Sequence, residues 1–149
     1  DIGGNCILST MINFQPILNK IASNPKLIFL IDGFGAILSV FLLGVILVKL
    51  EILIGMPSQT LYLLASIAGF FSAYSFICAF RITKNWRIFL RIIASANLSY
   101  CVLTSSLLFY HRSELTTLGV IYFLLEIFII AGLAIFEFKL TTHNMGLKL

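Results

Sequence analysis

Glu126 is the carboxylate of this 149-residue chain placed deepest inside an apolar run, as the tenth residue of 117–136. At ~1.5 Å rise per residue, that depth puts it near the midplane of a ~30 Å hydrocarbon layer. Ionisable groups are costly there, and by default they mark ion or proton pathways. The chemistry open to a lone carboxyl at that depth is uptake and release of a proton. Tyr122 precedes it by one helical turn, within hydrogen-bonding reach on the same face. Asn97 falls at the same depth of run 88–109, on a stripe with Ala94, Cys101 and Thr104. Glu126, Asn97 and Tyr122 thus form a candidate proton site. The same residues also admit a structural role, in which a neutral Glu126 bonded to Asn97 fixes helix register. Interhelical bonds of that kind contribute roughly 0.6–2 kcal/mol in membranes.

Asp32 and Arg91 make a second constellation. Asp32 is the sixth residue of run 27–48 and Arg91 the fourth of run 88–109, and both runs start at the same face. Their depths match within a few ångströms, which predicts an intramembrane ion pair near the interface. The alternative is Arg91 snorkelling to lipid headgroups while Asp32 caps locally.

No other chemistry is visible. His111 and His143 lie outside the runs, which excludes bis-histidine haem ligation within one bundle. The three cysteines, Cys6, Cys78 and Cys101, include no C-x-x-C pair, and no Cys/His cluster has metal spacing. There is no H-E-x-x-H, phosphate loop or serine elbow. The expectation is a chain with no catalytic, cofactor-binding or metal residue: not an enzyme.

The elements that hold these residues are four apolar runs, 27–48, 60–80, 88–109 and 117–136, each long enough to span a bilayer as a helix. Hydrophobic residues make up 60% of the chain and charged ones 11%, against about 25% charged in soluble domains. The predicted fold is therefore all-α, a polytopic four-helix transmembrane bundle. Residues 1–26 form an N-terminal segment in which Phe14, Ile17, Leu18 and Ile21 share one stripe of a short interfacial helix, about 14–23. Met11 is the expected native start, with 1–10 an upstream extension. Asn24-Pro25 breaks the chain before the first span, and 137–149 reads as a tail. Small residues mark where helices should meet: Gly35, Ala36 and Ser39 in the first span, and Ala65, Ala68, Gly69, Ser72, Ser75 and Ala79 in the second. Phe70, Phe71, Phe123 and Phe128 are expected to face lipid or fill gaps.

Charge sets the expected orientation. Lys20, Lys26, Arg81, Lys84, Arg87, Arg91, Lys139 and Lys148 lie at the end that carries both termini, and only Lys49 and Arg112 at the other. By the positive-inside rule both termini are cytoplasmic. The basic residues form no dense patch, so nucleic acid is not an expected partner.

The layout shares features with small multidrug-resistance transporters, four-span proteins with a membrane-embedded Glu. Theirs belongs to the first span, whereas Glu126 belongs to the last. The vitamin K epoxide reductase type needs a C-x-x-C, and MAPEG-type enzymes need glutathione-binding motifs absent here. Ile31-Asp32-Gly33-Phe34-Gly35-Ala36, Gly55-Met56-Pro57, Tyr74-Ser75-Phe76-Ile77-Cys78, Asn85-Trp86 and Ala96-Asn97-Leu98-Ser99-Tyr100-Cys101 are similar to segments of a group of uncharacterised bacterial four-span integral membrane proteins. That resemblance, over roughly residues 25–140, implies a multi-pass protein of the bacterial inner membrane and no particular activity. The functional expectation is a non-enzymatic subunit or interaction module. It would assemble in the lipid bilayer as a homo-oligomer or with another membrane protein. The alternative is a small proton-coupled transporter that uses Glu126 and works as a dimer.

Overall fold

A computed structural model describes residues 16, 20–21, 23–81 and 84–143. The interfacial helix expected over 14–23 falls largely outside these residues, as do 1–10 and the end of the tail.

Every described element is helical. Helix α1 (Pro25–Phe41) begins with proline in its first turn, where the missing N–H costs nothing. It continues through a π-helical segment, Leu42–Leu47, in which Gly44 lies against Ala65. A single-turn helix, α2 (Glu51–Ile54), precedes three long ones, α3 (Ser58–Arg81), α4 (Trp86–Tyr110) and α5 (Thr117–His143). Four helices, starting at Pro25, Ser58, Trp86 and Thr117, are long and apolar enough to cross a membrane. The all-α four-helix bundle expected from the sequence is the architecture found.

The fourth helix runs past the expected limit of 136, to His143. Glu137 and Lys139 read as the start of a polar tail, yet Glu137 is buried inside the bundle and Lys139 points out. A charge at a helix end marks the membrane edge only if its side chain faces away from the bundle.

The helices pair as two antiparallel hairpins, α1 with α3 and α4 with α5. Ala65, Ala68, Ser72, Ser75 and Ala79 of α3 are buried; such small residues let backbones approach where packing drives association in lipid. Ser72 Oγ donates to the Gly33 carbonyl at 3.1 Å across this seam. In α1 it is Gly33, against the Phe76 ring, that makes the close approach. Gly35 meets nothing within 4 Å. The expected small-residue interface of Gly35, Ala36 and Ser39 is instead the wall of an opening, because α1 and α5 do not pack along their length.

The loop end is closed by backbone contact. Gly55 takes the left-handed conformation (φ 77°) and ends α2, while Glu51 Oε1 accepts the Ser58 N–H at 3.0 Å and satisfies a first-turn donor of α3. Thr116 bonds the carbonyls of Leu53 and Ile54 through its hydroxyl, and Ile54 also through its N–H. A Cβ on Gly55 would collide with the Glu114 backbone, and one on Gly119 with the Ile54 carbonyl.

Two apolar clusters fill the bundle. One, at the loop end, includes Leu43, Leu47, Met56, Leu61, Leu64 and Phe123. The other, at the termini end, joins Ile28, Phe29, Cys78, Ala79, Leu90 and Ile93. Phe34, Phe70, Phe80 and Phe128 are exposed on the lipid-facing belt. The polar residues lie at the depths between and beside these two clusters.

Candidate functional site

Three of the six acidic residues in the chain, Asp32, Glu126 and Glu137, are buried in the bundle, and none of the described lysines or arginines is. A buried charge needs a partner, and an unpaired one is strongly disfavoured. The interior therefore has an excess of acid that protons or a cationic ligand must balance.

Asp32 is the best satisfied. Its Oδ2 accepts the Ser75 hydroxyl at 2.5 Å and its Oδ1 the Asn97 amide at 2.8 Å. These bonds follow from the antiparallel register of α1 on α3, which sets Asp32 opposite Ser75 and Gly33 opposite Ser72. The expected Asp32–Arg91 ion pair is not formed. Arg91 is exposed and donates from Nε to Thr141 Oγ1 at 3.4 Å. The expected depth match fails as well: Asp32 lies level with Asn97, six residues or about 9 Å along α4 from Arg91, and ~100° per residue turns Arg91 and Asn97 to different sides of the helix.

Asn97 is likewise committed to Asp32 rather than to Glu126. The neighbour of Glu126 is Tyr100, one turn further along α4, whose hydroxyl approaches Oε1 at 3.5 Å, a long contact. Glu126 Oε2 is buried with no hydrogen-bond partner. Tyr122 shares the Glu126 face of α5 and the same cavity wall but makes no hydrogen bond to it; its ring packs edge-on against Phe123. The candidate proton site thus keeps Glu126, takes Tyr100 as its donor, and has Asn97 one level toward the termini.

A cavity of about 290 Å³ opens at this level. It lies in the unpacked seam between α1 and α5, with α3 and α4 behind it. Ser39, Asn97, Tyr100 and Glu126 supply its polar points with Asp32, while Leu42, Phe71, Ile130 and Leu133 supply part of its apolar wall. Its mouth faces the flank of the bundle where Leu38, Leu125 and Ile129 are exposed, so access is from the side. Ligand sites are mostly apolar with a few convergent polar groups, and this one has two carboxylates and no cation in its lining.

The sequence signal for Tyr100 was available: it stands at i+3 from Asn97, on the same face. Glu137 was legible as a residue on the Glu126 side of α5, but its charge made it read as tail.

Comparison with known proteins finds no matching family model, no matching curated protein and no matching solved structure.

Proposed function

We propose that this chain is a small proton-coupled carrier for apolar cations, with Glu126 as the group that trades a proton for the ligand. The observation that carries this reading is the buried Glu126 oxygen without a partner, inside a largely apolar cavity that opens toward lipid. A positive headgroup would be held by Glu126 and Asp32, with Tyr100 and Phe71 offering aromatic faces that favour cations. The apolar remainder would lie along the α1/α5 seam, reached from the bilayer.

The same proposal places the protein in a bacterial inner membrane with both termini cytoplasmic. The eight-to-two division of basic residues supports that orientation, and the motifs around 31–36 and 96–101 support the bacterial location. It includes a homodimer, since four spans alone leave little room for an internal path. The test is uptake of tetraphenylphosphonium into proteoliposomes under an imposed pH gradient. Gradient-driven uptake that Glu126→Gln abolishes supports the carrier. Gradient-independent leakage, equal in both proteins, excludes it.

A second reading, a subunit whose partner lays an apolar helix into the seam, is favoured by Gly35, where an added Cβ would meet no other element within 4 Å. A stoichiometric protein crosslinked to α1 and α5 in native membranes would establish it.

A further inference from the structure

Toward the termini end of the bundle, α5 carries an acid that the Glu126 site does not use. Glu137 is fully buried, and neither of its carboxylate oxygens has a hydrogen-bond partner. It lies near Asp32 and Asn97 but outside hydrogen-bond geometry to either. We propose that Asp32 and Glu137 are a second proton-binding site, a carboxyl pair holding one proton that exchanges with water at the termini end.

The surroundings assign the roles within the pair. Asp32 receives two neutral donors, Ser75 and Asn97, one on each oxygen. Glu137 receives none, so it is the member left to carry the proton. The other titratable or charged groups near it are few. Cys78 of α3 belongs to the apolar cluster at this end, against which Leu140 packs. Arg91 of α4 is exposed and turned to Thr141, and Glu126 stands three turns away on α5 itself. Among the described residues no cation neutralises the two acids. Like charges at close quarters in a medium of low dielectric do not both stay ionised, so the pair titrates as a unit.

The occupant is a proton rather than a metal ion. The mid-bundle cavity reaches Asp32 and Asn97 but not Glu137, Ser75 or Thr141. A coordinated cation needs space for a shell of oxygens at over ~2 Å, whereas a proton needs none. The exchange would pass Thr141, whose hydroxyl donates to the Phe138 carbonyl. Thr141 is buried one turn from Glu137 on α5, and its hydroxyl meets the exposed Arg91. Asp32 belongs both to this pair and to the cavity lining, so protonation here is felt where the ligand would bind. The pair itself does not depend on the carrier reading, because it holds its proton with the cavity empty.

The test is the carboxylic-acid infrared band of the full-length protein in lipid nanodiscs, without ligand. The expected result is a protonated band that survives Glu126→Gln and is lost in Glu137→Gln. In Asp32→Asn its titration shifts by about one pH unit or more, as coupled sites require. In wild-type protein the band must also move on transfer to D2O, a readout that needs no variant to fold. The proposal is overturned if Glu137→Gln keeps the wild-type band or if Asp32→Asn leaves its titration in place. It is also overturned if the wild-type band is unmoved in D2O, or if sodium at constant pH removes it, which would mark a metal-ion site.

Discussion

Asn97 donates to Asp32 across 2.8 Å, and this bond ties the α1/α3 hairpin to the α4/α5 hairpin at the level of the cavity. Among the described residues, the other side-chain hydrogen bonds between the hairpins, Thr60 with His111 and Thr116 with Leu53 and Ile54, are at the loop end. Asp32 and Asn97 therefore set how far apart the hairpins stand where α1 and α5 leave their seam open.

Breaking that bond has a direction that can be measured. Asn97→Asp places an acid against Asp32 and should destabilise the bundle by more than the ~0.6–2 kcal/mol of an ordinary interhelical bond. Adding Asp32→Asn reverses donor and acceptor and should recover most of the loss. Unfolding of the three variants in mixed micelles reads this as a double-mutant cycle. Equal, additive losses would show that the two side chains do not interact.

The loop end gives a sharper contrast. Gly119→Ala and Gly55→Ala drive a Cβ into backbone of the facing segment, and overpacking of this kind costs typically ~1–3 kcal/mol. Gly35→Ala and Gly132→Ala meet nothing within 4 Å and should leave the melting temperature of the purified protein close to wild type. All four falling together would contradict the described contact between α2 and α5.

The sequence carried the fold because lipid leaves few choices: a helix must offer about 20 apolar residues, and four runs did. The small stripe of α3 also marked its true interface. Counting put Asn97 and Glu126 at one level, and both line the cavity, but it set Asp32 too near the membrane edge: Asp32 lies level with Asn97, well inside Arg91. Which neighbour a side chain turns to was not legible, because that depends on how four helices are arranged around each other. So Asp32 finds Ser75 and Asn97 instead of Arg91, and Glu126 finds Tyr100 instead of Asn97. Glu137 was hidden by its own charge, since a carboxylate near a helix end reads as solvent-facing until a neighbouring helix is known to cover it.

Cavity access separates the two α5 acids chemically. Glu126 borders an opening on the lipid side and Glu137 is enclosed. An apolar carbodiimide added to membranes should therefore modify Glu126 first, and tetraphenylphosphonium should slow that reaction. Peptide mass mapping reads the site. Preferential modification of Glu137 would place the opening elsewhere.

The cavity's Tyr100 hydroxyl donates to Glu126 across 3.5 Å. Tyr100→Phe keeps the aromatic wall and removes that donor, so tetraphenylphosphonium should still bind while the pH dependence of its binding changes. A full loss of binding with unchanged folding would mean that Tyr100 holds the ligand rather than tuning the acid.

The proposed carrier has Glu126 exchange a proton for a cation in the α1/α5 cavity. Its most direct test is proton release in weakly buffered detergent solution as tetraphenylphosphonium is titrated into the purified protein. Wild-type protein should release close to one proton per ligand bound, and Glu126→Gln should show neither release nor saturable binding. Binding and proton release that persist unchanged in Glu126→Gln would contradict it.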